Sequence, residues 1–145
     1  MKIIVLLILI SISIFAGSKE AVIECHSGTG RTLLHIEDMD LEGNFQSGFL
    51  MIDSKKLIYS SNADAVIVSH LNIGVYTVSI VDKNGSIYLE FYALPDTVKK
   101  HAYAKGLKFI FQANIDSAST DPRSKERLNK RIQLNCKVTY DWREI

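Results

Sequence analysis

The chain has 145 residues, a formal net charge of +1 at pH 7 and two cysteines. That length suits one domain and is enough to bury a core without many cross-links. The 17 basic against 16 acidic side chains leave none of the basic excess that nucleic-acid binders carry, so no nucleic-acid partner is expected.

The first segment has the layout of a targeting signal. Met1-Lys2 brings a positive charge, Ile3 to Phe15 is an uncharged apolar run, and Ala16-Gly17-Ser18 supplies small residues ahead of Lys19-Glu20. This pattern is expected of a secretory signal peptide over residues 1–18. The apolar run is 13 residues long, short of the roughly 20 that span a bilayer core, so no stable membrane insertion is expected after cleavage. Residues 19–145 then form a single domain that is periplasmic or secreted. In such an oxidising compartment Cys25 and Cys136 are expected to form one disulfide. Metal ligation by the pair would want a C-x-x-C spacing, which the chain lacks.

Strand patterns fill most of the remaining chain. Ala21 to His26 is the first and Arg31 to Met39 the second, followed by Asn44 to Ile52. "DSKK" (53–56) is a turn into Leu57 to Ser60. Asp64 to His70 is an apolar β-branched run, and Val75 to Val81 comes next. Asn84-Gly85 within "DKNGS" (82–86) is the strongest hairpin signal in the chain, because a type I′ turn needs positive φ at both central residues. Ile87 to Leu94 is the returning strand. Pro95 and Asp96 suit a helix start and Gly106 a helix end, so one short helix is expected over residues 96–104.

Leu107 to Ile115 returns to strand, with Leu107, Phe109, Phe111, Ala113 and Ile115 on one face, and residues 116–130 form a polar connection. In the last strand Ile132, Leu134, Cys136, Val138, Tyr140 and Trp142 alternate with polar residues, as in an antiparallel sheet packed on one side. The expected fold is mainly β: a single antiparallel β-sandwich, immunoglobulin-like or related, with a small barrel as the alternative. The sandwich is preferred because a disulfide between the first and last strands would pin the edges together.

"ECHSGTGRT" (24–32) gathers the most chemistry in the fewest positions. A hairpin centred on Gly28-Thr29 sets Cys25 opposite Thr32 and Ile23 opposite Leu34. Ile23, Cys25, Leu34 and Ile36 then share an apolar face, and Glu24, His26, Arg31, His35 and Glu37 share a polar one. A phosphate loop would instead feed a helix and carry G-K-[ST]. A nucleophile elbow needs a glycine two places before Ser27, where Cys25 stands. The stretch is therefore a tight turn, and Ser27, Thr29 and Arg31 at its tip are candidate binding residues, with an anion held by exposed amides and Arg31 as the specific form.

In that register His35 faces Val22, roughly 13 Å along the strand from His26 at about 3.3 Å per residue, too far to share a metal. No metal or other cofactor is expected. Glu37, Asp38, Asp40 and Glu42 match a calcium loop poorly, since Met39 and Leu41 among them are apolar, and no catalytic residue is assigned. Arg123, Lys125 and Arg127, with Lys130 and Arg131, make a basic loop: a solvated face, or a contact for an acidic partner or anionic glycan. Tyr88, Glu90 and Tyr92 would form a partner surface if they faced outward, but core packing of Tyr88, Tyr92, Tyr103 and Trp142 is the preferred reading.

"CHSGTGR" behind the apolar leader, and "TDPR" followed by "IQLNCKVTY", resemble an uncharacterised group of small secreted bacterial β-rich proteins. The resemblance implies an exported β domain whose end strands carry one cysteine each, and no activity. Ser27-Gly28-Thr29-Gly30 resembles the Ser-Gly-x-x-Tyr loop of periplasmic lysozyme inhibitors only in its first two residues, since it lacks the tyrosine. The expected function is an exported, non-catalytic binding module for a protein or glycan partner in the envelope or outside the cell, inhibitor-like in its most specific form. The alternative is a small secreted hydrolase using Glu37, Asp38 and Asp40.

Overall fold

A computed structural model describes residues 20–38, 45–59, 63–81, 88–121 and 126–141. The apolar leader, Asp40, the Asn84-Gly85 turn, Arg123, Lys125 and Trp142 lie outside the described residues. The strands are β1 Glu20–His26, β2 Thr32–Asp38, β3 Phe45–Ile52, β4 Lys55–Tyr59, β5 Asp64–His70, β6 Val75–Val81, β7 Tyr88–Ala93, β8 Lys99–Tyr103, β9 Gly106–Ala118 and β10 Ile132–Asp141. The chain is mainly β and antiparallel, as its period-two alternation requires.

The layers differ from the expected arrangement. Among the described residues ten strands join one sheet in the order β4-β3-β2-β1-β10-β9-β7-β6-β5, with β8 beside β9. The sheet curls into a half-barrel, and β3 reaches β5 across it. Sequence neighbours pair almost everywhere, and β10 pairing with β1 joins the two halves. The expected disulfide forms, but it does not pin edges. Cys25 and Cys136 face each other in the middle of the sheet, with Cα atoms 4.1 Å apart in the close approach of an antiparallel pair. Both are buried in a core that includes Ile23, Leu34, Phe111, Leu134 and Val138.

The β1–β2 register also departs from expectation. Cys25 faces Leu34 and Ile23 faces Ile36, two residues away from the pairing centred on Gly28-Thr29. The faces survive because side-chain direction repeats every second residue. At β3–β4 the turn is only Asp53-Ser54, both left-handed with φ of 47° and 73°, so β4 begins at Lys55. Gly48 lets β2 approach closely, since a Cβ there would stand 2.7 Å from the His35 carbonyl oxygen.

No helix covers 96–104. Pro95–Thr97 is a single 3₁₀ turn and Lys99–Tyr103 is strand β8. The cause lies in β9, a 13-residue strand whose second edge β7 covers only from Ala113 to Ala118. β8 satisfies the rest of that edge, pairing with Gly106 to Ile110. In the gap the Gln112 N–H donates to Thr97 Oγ1 at 2.9 Å, and its carbonyl accepts from the Leu94 N–H at 2.8 Å. A helix would leave those backbone groups unpaired. β9 likewise runs three residues past Ile115, into what reads from sequence as a polar connection.

Two outcomes test this packing. Joining residues 111 positions apart, the disulfide contributes about 4–5 kcal/mol in the chain-entropy description. Cys25→Ala with Cys136→Ala should lower the denaturant midpoint accordingly; an unchanged midpoint would show that the ladder holds without the bond. Tyr59 is 1% exposed and its hydroxyl finds no hydrogen-bond partner among the described residues. Burial raises its pKa, so its share of stability is whole below the unfolded value of about 10 and is lost as pH rises beyond it. Tyr59→Phe should therefore be neutral or stabilising by about 1 kcal/mol and should flatten the alkaline decline in unfolding free energy.

Candidate functional site

The loop between β1 and β2 is built from its own polar groups. The Ser27 N–H donates to the Thr32 carbonyl at 2.9 Å, and the Gly30 N–H donates to the Ser27 carbonyl at 3.0 Å. The Thr32 N–H donates to Ser27 Oγ at 3.1 Å, and the Arg31 N–H donates to Thr29 Oγ1 at 3.4 Å. The two hydroxyls bond each other at 3.2 Å. Gly30 takes the left-handed φ of 72° that the turn needs. Ser27 is consequently buried rather than at the tip, and four amides that an anion would use are spent inside the loop. Thr29 and Arg31 stay exposed.

Among the described residues Glu37 meets a serine and a histidine, not a second carboxylate. Glu37 takes a hydrogen bond from Ser47 Oγ at 3.2 Å and meets His35 Nε2 at 3.3 Å. His35 in turn stacks on Phe49 with ring centroids 5.3 Å apart, and Lys56 Nζ caps that ring at 4.3 Å. In the observed register His35 faces Glu24 rather than Val22. Among the described residues no group of three or more potential ligands could hold a metal ion.

The convergence occurs on the outer surface of β7, β9 and β10. Leu89, Phe91 and Ala93 point into the core, which turns Tyr88, Glu90 and Tyr92 outward, contrary to the expected core packing of Tyr88 and Tyr92. Tyr103 is 40% exposed on β8, and the buried tyrosines are Tyr59 and Tyr76. The Tyr88 hydroxyl donates to Glu90 Oε2 at 2.9 Å. Partial burial and that carboxylate raise the Tyr88 pKa. The Arg127 guanidinium lies 4.2 Å above the Tyr88 ring, a cation–π contact.

Next along the strand, Tyr92 donates to Asp116 Oδ1 at 3.3 Å and accepts from Asn114 Nδ2 at 3.4 Å. Arg131 Nε donates to the same Asp116 oxygen at 2.6 Å, which raises the Arg131 pKa further. The β7–β9 register shifts between Glu90 and Phe91, which face Ser117 and Ile115. Asp116 is the extra residue, and such a bulge re-aims a side chain. Gln133 and Gln112 continue the polar surface at 3.2 Å. The result is two trios on one sheet surface, Tyr88 with Glu90 and Arg127 and Tyr92 with Asp116 and Arg131, each a phenol, a carboxylate and a guanidinium. Such a surface can donate to, accept from and stack on a partner.

The sequence places Arg127 and Arg131 in one basic loop and allows Tyr88, Glu90 and Tyr92 a partner surface only as the less favoured reading, and nothing in it joins Asp116 to either group. Glu90 between Leu89 and Phe91 was the signal that the tyrosines face water. Beside this surface, a groove of about 400 Å³ lies among Asp96, Thr97, Lys99, Ile110, Gln112 and Asn135. No family model, curated protein or solved structure matches this chain. Its class is therefore given by its own geometry, a disulfide-stapled antiparallel half-barrel with an aromatic and charged outer face.

Single substitutions distinguish scaffold from surface in the 27–32 loop. Ser27→Ala leaves the buried Thr32 N–H without its acceptor and should cost about 1–3 kcal/mol of stability, whereas exposed Arg31→Ala should stay within about 0.5 kcal/mol. Thermal unfolding of both variants reads this directly, and equal losses would contradict it.

Proposed function

We propose that this protein is an exported, non-catalytic binding module for a protein or glycan partner in the envelope or outside the cell. Its contact surface is the face formed by Tyr88, Glu90, Tyr92, Asp116, Arg127 and Arg131, with the curled sheet as a rigid, sandwich-like platform. The observation that carries this reading is the outward placement of two tyrosines already hydrogen-bonded to carboxylates and flanked by guanidiniums. Tyrosine and arginine dominate the energetics of recognition surfaces, and a phenol held by its neighbours loses little conformational entropy on binding. Export is supported by the disulfide, a bond that persists in oxidising compartments, and by the secretory pattern of residues 1–18. The chain ends also resemble those of small secreted β-rich proteins.

The test is capture from native envelope material and from a glycan array, using the oxidised protein as bait. Tyr92→Ala with Arg131→Ala should weaken the captured interaction by about tenfold or more and leave the fold intact by circular dichroism. Arg31→Ala should leave capture unchanged. Capture that survives the first variant and disappears with the second would move the contact surface to the 27–31 loop.

A further inference from the structure

The free edge of β5 differs from the other free edges of the sheet. Among the described strands β5 is hydrogen-bonded only to β6, and β3 approaches it across the curl of the sheet without pairing. Its outward side chains are Asp64, Val66, Val68 and His70, all exposed, with Val66 at 66% and Val68 at 41%. Natural sheets blunt such edges with charge, often lysine. β4 obeys that rule with Lys55 and Lys56, and β8 with Lys99 and Lys100. β5 keeps its charged or ionisable groups only at its two ends and places valines between them.

We propose that β5 is the pairing edge for a second copy of this chain, joined antiparallel about a two-fold axis at Ile67. The choice of occupant rests on self-complementarity. Reading the outward residues against a reversed copy of themselves sets Asp64 opposite His70 of the partner subunit and Val66 opposite Val68 of the partner subunit, and symmetry supplies the reciprocal pairs. Each outward position thus meets what it suits: carboxylate against an imidazole N–H at both ends, and β-branched against β-branched in the centre. Ala65 likewise meets the partner's Ser69 on the other side. A two-fold interface must be self-complementary in this way, and strand addition supplies main-chain hydrogen bonds in the same step. The pairing leaves the Tyr88–Arg131 face open on each subunit, so the assembly presents that surface twice.

Analytical ultracentrifugation of the oxidised protein across a concentration series tests this. The dimer is expected in the wild type. Val66→Lys with Val68→Lys, both outward and outside the core, should weaken self-association by about tenfold or more without changing the thermal midpoint of the monomer. Asp64→Lys alone should weaken the dimer, and adding His70→Asp should restore it by reversing the pair. A wild type that stays monomeric at high concentration, or a dimer indifferent to the valine substitutions, overturns the interface. A charge reversal that fails to restore association overturns the register.

Discussion

The pairing of β1 with β10 is the interaction on which the rest of the structure depends. Each of these strands already has a sequence neighbour on its other side, β2 for β1 and β9 for β10. Their mutual ladder therefore converts two separate meanders into one continuous sheet. Cys25 and Cys136 sit within it, facing each other, so the covalent bond reinforces the junction between the strands farthest apart in sequence. The same junction brings Ile23, Val138 and Phe109 onto one buried face. It also sets the outward row in which Glu24 meets Lys137 at 3.4 Å.

The half-barrel then distributes its demands along β9. One edge of that strand is continuous with β10, and the other is divided between β8 and β7. The Pro95–Thr97 turn is the part that makes the division possible, since Thr97 Oγ1 and the Leu94 N–H satisfy Gln112 where neither strand can. Gly74 fits against that turn, where a Cβ would lie 2.8 Å from the Pro95 carbonyl oxygen. A short irregular segment thus fixes the position of three strands.

Parity was the property legible in the sequence. Alternation in Leu107 to Ile115 and in Ile132 to Tyr140 is enough to place strands and assign faces, because side-chain direction reverses at every residue. Register is a different quantity. A slip of two residues leaves every face unchanged, so the pairing centred on Gly28-Thr29 and the observed one look alike until the Ser27 hydroxyl is seen closing the longer loop. Layer arrangement was equally hidden, since a disulfide between first and last strands suits facing edges as well as adjacent neighbours. Residues 96–104 misled for another reason: Lys99 to Tyr103 are exposed throughout and carry no apolar stripe of either period, and their conformation answers to unpaired backbone in β9. The outward face was half legible. Glu90 betrays the orientation of Tyr88 and Tyr92, but Asp116 joins them only through a bulge that alternation does not announce.

The two strands that meet at the centre of the sheet come from opposite ends of the folded domain, which has a consequence for how the protein is made. A chain that emerges from its N-terminus presents β1 long before β10 exists to receive it, and structures dominated by such distant contacts assemble slowly. During that interval Ile23 lacks part of its cover and the Cys25 thiol has no partner within the chain. Two cysteines permit only one intramolecular pairing, so the wait carries no risk of scrambling within the chain. The bond can close only once the last strand arrives beside the first.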